Sequence, residues 1–110
     1  MKKISKSLTN PLSEILILSL LNQKPDYGYE IIKILSLKTN GKLIRQAGSI
    51  YPLLSKMEKK GWIKSNWDIK AERPRKVYHI LKKGKIELNN QMEDWKMIMV
   101  IIGELSDFTH

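Results

Sequence analysis

The sequence contains no cysteine. Disulfides, thiolate catalysis and zinc sites built on cysteine are excluded together. Histidine is almost as scarce: His79 and His110 stand far apart in the chain, too few ligands for a histidine metal site. No metal or cofactor is expected. There is no glycine-rich phosphate loop, and the serines, histidines and acids fall on segments that give no convincing triad, so an enzyme is not expected. Internal repeats and low-complexity segments are missing too. The apolar stretch at 15–21 follows basic residues and mimics a secretory signal. Asn10, Pro11 and Glu14 interrupt its approach, no small-x-small cleavage site follows, and it is too short to cross a bilayer. The expectation is a cytoplasmic protein without a membrane partner.

Acidic side chains are under-represented. Asp plus Glu number 11 against 20 Lys plus Arg, for a formal charge of +9 and a pI near 9.8. That balance suits a nucleic-acid-binding domain, and also a peripheral membrane protein or a simple basic one. With 110 residues one compact domain is expected, with a core small enough that burial against a partner subunit would help.

Three helices are expected first. Asn10 reads as a cap with Pro11 at the first helical position, opening a helix apolar on most sides. A second runs over 27–39, capped by Asp26, striped by Ile31, Ile34 and Leu35, and stopped at Asn40-Gly41. The third lies in "GSIYPLLSKMEKKGWIK", residues 48–64. Ser49 reads as its cap, Pro52 falls in the first turn, and Ile50, Leu53, Leu54 and Met57 recur at core-facing spacing up to Gly61. Two extended runs, 62–67 and 76–81, flank the polar, basic "DIKAERPR" and read as a hairpin.

A last helix over 82–107 would be about 35–40 Å long at 1.5 Å per residue. Leu88, Met92, Trp95, Met99 and Ile102 step by four, three, four and three, which is a heptad seam. Ile98, Ile101 and Leu105 add a second stripe, and residues 97–102 are apolar all round. One helix on so small a body cannot bury that surface alone, so packing on the first helix and on a second copy is expected.

The fold class expected is mainly α with a small β-hairpin wing. A winged helix-turn-helix occupies 1–81 and a long C-terminal dimerisation helix 82–110. The third helix would be the recognition helix. Opposite its apolar stripe it carries Ser49, Tyr51, Pro52, Ser55, Lys56 and Lys59: small hydroxyls that permit close approach to a groove, and lysines that bond phosphate. Arg73, Arg75 and Lys76 sit at the turn of the hairpin, with Arg73 a candidate for the minor groove. Lys2, Lys3 and Lys6 add diffuse attraction. The bland alternative is a solvated lysine face and an exposed basic loop; two basic elements on one hairpin-flanked surface argue against it.

"DYGYEII" at 26–32, "GSIYPLLSKMEKKGWI" at 48–63 and "RPRKVYHIL" at 73–81, closed by Gly84, resemble the PadR family of transcriptional regulators across nearly the whole winged-helix portion. The single C-terminal helix resembles the compact branch. The resemblance implies a homodimer that represses transcription at a pseudo-palindromic double-stranded DNA operator and is released by a small ligand. Tyr51 and Lys56 would face DNA on the recognition helix, and Arg73 and Arg75 would do so on the wing. "MEDW" at 92–95 resembles the aromatic segment of multidrug-sensing members, where paired tryptophans line a flat pore for planar ligands. Ala71 and Glu72 stand where the family usually has glycines, Leu81 where it commonly has a threonine cap, and Tyr27 where many members have histidine.

Trp95 therefore has two readings, interface packing or stacking on a planar hydrophobic effector, with Met92 and Met99 beside it in either case. A second function class also fits the pattern: a winged-helix interaction module whose apolar last helix engages a different partner chain. A stable homodimer favours the regulator, and a monomer that pairs only with another protein favours the module.

Overall fold

The computed structural model describes residues 6–42, 47–70 and 72–106. Its elements run α1 (Lys6–Gln23), β1 (Asp26–Tyr27), α2 (Gly28–Lys38), α3 (Ala47–Lys59), β2 (Ile63–Asp68), β3 (Arg75–Ile80) and α4 (Lys82–Ser106). The three strands form one antiparallel sheet in the order β1-β3-β2. The expected mainly helical fold with a hairpin wing is thus present, with one strand added to it.

The core collects one face from each helix. Ile17, Leu18 and Leu21 of α1, Ile31 and Leu35 of α2, and Ile50, Leu53, Leu54 and Met57 of α3 are buried together with Ile63 and Tyr78 of the hairpin. The four-residue stripe read on the third helix is therefore its inner face. Burying such side chains stabilises by about 1.5–3 kcal/mol each. Both interhelical stops are made by backbone. Asn40 at φ 53° ends α2, with Asn40 N donating to Leu37 O at 3.3 Å and Gly41 N to Ser36 O at 2.8 Å. Gly61 at φ 78° ends α3, with Gly61 N donating to Glu58 O at 3.0 Å and Trp62 N to Met57 O at 3.1 Å. Each is a Schellman pair, which satisfies two orphan carbonyls and needs a left-handed residue.

Three helix starts differ from the sequence expectation. The first helix begins at Lys6, so Asn10 is not its cap and Pro11 lies inside it; the ring is exposed, and the helix forgoes one hydrogen bond there. Asp26 does not cap α2. It belongs to β1, and its Oδ1 accepts from Tyr27 N at 2.8 Å. Ser49 is not the cap of α3, which starts at Ala47 and carries Pro52 in its second turn.

Residues Lys82–Ser106 make a 25-residue α4, about 37 Å at 1.5 Å per residue. Its fully buried residues, Gly84 and Leu88, lie in its first part, and Gln91 and Trp95 are half-buried further along. Gly84 sits where α4 crosses the start of the hairpin, and a Cβ there would collide with the Trp62 carbonyl. Beyond Leu88 the helix projects. The radius of gyration is 15.9 Å, against about 13 Å for a compact domain of this length.

Candidate nucleic-acid interface

The hairpin folds back beside α3 and the start of α2, leaving an open cleft of about 390 Å³ between them. Its α3 wall is Tyr51 and Ser55; its hairpin wall is Trp67, Arg75, Lys76 and Tyr78; Gly28 and Tyr29 form the end. Among the described residues no carboxylate lines it. Tyr51 leans over Gly28, where a Cβ would stand 2.8 Å from the Tyr51 ring. Tyr78 is buried, and burial pushes its phenol pKa up, with the negative charge of Glu58 adding to the effect.

Of the residues expected to meet DNA, Tyr51, Ser55, Arg75 and Lys76 converge on this cleft. Pro52, Lys56 and Lys59 are exposed on the same helix outside it, and Arg73 is exposed just before β3. The Ser49 side chain lies outside the described residues, as do Lys2, Lys3, the Lys6 side chain and Ala71. Among the described residues Glu58 makes no ion pair with a lysine within 4.0 Å. Its Oε1 accepts from Ser65 Oγ at 3.0 Å and ties α3 to β2, which takes the one acidic side chain of this helix out of the basic face.

Arg75 is placed differently from a wing-tip residue. It opens β3 opposite Asp68, at the end of the paired strands. Its Nη1 donates to the Tyr29 hydroxyl at 2.6 Å, and the guanidinium lies 5.1 Å from the Tyr29 ring and 5.6 Å from the Tyr27 ring. The two rings stack at 5.6 Å and 14°. The Tyr27 hydroxyl donates to Asp68 Oδ2 at 2.6 Å. That bond holds the Asp68 carboxyl below its usual range and the Tyr27 phenol above its own. Lys76 Nζ lies 5.6 Å from the Trp67 ring. Trp67 is 59% exposed. The sequence reading missed Tyr27, Tyr29, Trp67 and Asp68. The alternation in "DYGY" was its only trace, because β1 is two residues long.

The second expected site lies on α4. Met92, Met99 and Ile102 are exposed and Trp95 is half-buried. Leu88, expected at the seam between copies, is buried in the chain's own core at 3% exposure; α4 docks through it, so it is not free for a second copy. Met97, Ile98, Val100, Ile101 and Leu105 are exposed as well. Among the described residues no acid–histidine–cysteine cluster suits a metal, and no helix is long and apolar enough to cross a membrane.

A three-helix body of α1, α2 and α3, a cleft of hydrogen-bond donors beside α3, and an antiparallel wing define a winged helix-turn-helix protein. The model of the Transcriptional regulator PadR-like family matches residues 17–90, and the chain belongs to that family. It is a DNA-binding transcriptional regulator and not an enzyme. An uncharacterised protein of Lysinibacillus sphaericus is 32% identical over 88 residues, 79% of this chain and 81% of that protein. A transcriptional regulator from Clostridium thermocellum superposes with a TM-score of 0.79 at 30% identity, covering 92% of this chain and 96% of that one. A PadR-like transcriptional regulator from Bacillus cereus gives 0.78 at 32% identity, covering 94% and 98%.

Proposed function

We propose that the protein is a cytoplasmic homodimeric repressor that binds a pseudo-palindromic operator and leaves it when a planar hydrophobic ligand binds. The observation that carries the DNA part is the carboxylate-free cleft between α3 and the wing, flanked by exposed Lys56, Lys59 and Arg73. An exposed helix face of this charge, with small side chains at Ser55 and Pro52, suits a major groove, and Arg73 reaches the neighbouring backbone or minor groove. The dimer part rests on α4. An exposed band that includes Met92, Ile98, Met99, Ile101 and Ile102 is larger than a soluble monomer usually leaves in water. A two-fold pairing of this helix would cover it and set two recognition helices about 34–36 Å apart, one turn of DNA. In that arrangement Trp95 and its partner's copy would face each other between Met92 and Met99, leaving a slot for a flat ligand.

Affinity for duplex DNA should fall steeply as salt rises. Lys56→Ala and Arg73→Ala should each weaken binding while leaving the dimer intact; if both variants bind normally, the DNA-facing surface lies elsewhere. Planar hydrophobic compounds should quench tryptophan fluorescence in the wild type and not in Trp95→Ala. A response that persists in that variant would move the ligand site to the region of Trp62 or Trp67.

A further inference from the structure

We infer that the cleft seats one backbone phosphate of bound DNA, and that Tyr29 is the positioning residue that aims the Arg75 guanidinium at it. The inference rests on the DNA-binding reading above and adds two things: the group bound, and a function for side chains outside the recognition helix and wing tip.

Among the described residues Arg75 makes no ion pair within 4.0 Å. Among the described residues the ion pair within 4.0 Å is Lys60 with Glu14, at 3.6 Å, on another part of the surface. Asp68 stands directly across the ladder from Arg75, yet its carboxylate is occupied by the Tyr27 hydroxyl at 2.6 Å and by Lys70 N at 3.1 Å. Asp68 feels the Arg75 charge but accepts its hydrogen bonds from other donors, so the guanidinium N–H groups are not taken up by it. Arg75 uses one N–H on Tyr29, and a guanidinium has five in a rigid fork. The guanidinium lies 5.1 and 5.6 Å from two stacked phenol rings, contacts that reduce the side-chain freedom left to lose on binding.

The partner chemistry follows from the other walls. Lys76 lies beside Arg75, and the hydroxyl-bearing Ser55 and Tyr51 stand on the α3 side. These are donors arriving from separate directions, with no competing carboxylate. The two non-bridging oxygens of a backbone phosphodiester can each accept more than one hydrogen bond, and a guanidinium fork pairs with them through two parallel hydrogen bonds. Lys56 and Lys59 are exposed on the same helix that supplies Tyr51 and Ser55 to the cleft, and would add to the attraction of a DNA backbone.

The test is a salt titration of a duplex recovered by selection from random sequences, beside a scrambled duplex. Arg75→Ala should weaken both by a similar factor, about tenfold, and lower the magnitude of the salt slope by about one per chain. Arg75→Lys should keep the slope and lose affinity, because charge remains and the fork does not. Tyr29→Ala should reproduce most of the Arg75→Ala loss and add little in the Arg75→Ala background. Tyr29→Phe keeps the stacking ring, guards against misfolding, and should cost less than Tyr29→Ala. An unchanged slope in Arg75→Ala, or a loss confined to one base pair of the selected duplex, overturns the phosphate seat while leaving DNA binding standing. Inorganic phosphate should displace the duplex no better than chloride at equal ionic strength; better displacement that vanishes in Arg75→Ala would assign the seat to free phosphate instead. A wild type that binds neither duplex sinks the DNA-binding reading itself.

Discussion

Gly84 shows how one missing side chain fixes the geometry of the chain. A methyl group at this position would meet the Trp62 carbonyl and the Ile80 side chain, and the carbonyl belongs to backbone that cannot rotate away, since Trp62 O accepts from Leu81 N at 2.9 Å. Gly84→Ala should therefore destabilise the fold by about 1–3 kcal/mol or more through overpacking, seen as a lowered denaturant midpoint. An unaltered midpoint would mean that α4 crosses the hairpin less closely. Gly28 is a milder case, because the atom in its way is the end of the Tyr51 side chain, which can swing. Residues of this kind are only partly legible in sequence. The Ile50, Leu53, Leu54 and Met57 stripe shows at helical period, and Asn40 and Gly61 show as stops. The contact between Tyr29 and Arg75 joins residues far apart in the chain and leaves no local mark. Asn10-Pro11 carried a strong start signal that the longer helix overrode.

At the scale of elements, the hairpin is held to the segment that opens α2 at its turn end, by the Tyr27–Asp68 bond and the Tyr29–Arg75 pair. Asp68 is depressed from its usual 3.8 by the Tyr27 hydrogen bond, so its contribution is present above that value and lost as pH falls through the lower, folded-state one. Tyr27 is raised from its usual 10.0 by the same bond, so its contribution is present below that value and lost as pH rises through the higher one. The stability difference between wild type and Tyr27→Phe should therefore be flat from about pH 5 to about pH 9, and small because both groups face water. A difference that titrates near neutrality would contradict this origin. The two main wing strands were legible as extended runs to within a residue. The two-residue strand β1 was not, because periodicity cannot be read over so short a segment, and it is β1 that carries Tyr27 to Asp68.

For the whole molecule, the main consequence of the sequence is that the body is complete and the projecting helix is not. The core of α1, α2, α3 and the hairpin buries its stripes internally, while most apolar side chains of α4 beyond Leu88 meet water. The heptad spacing foretold that surplus, although it counted Leu88 among the free positions when the chain's own core takes it. The net charge of +9 is compatible with a polyanionic partner and does not by itself single one out. The most direct measurement is the mass of the complex between the purified protein and a selected duplex at low ionic strength. The expected result is two chains per duplex, dissociating as salt is raised. A single chain per duplex, or no complex at all, would contradict the pairing of two recognition helices through α4.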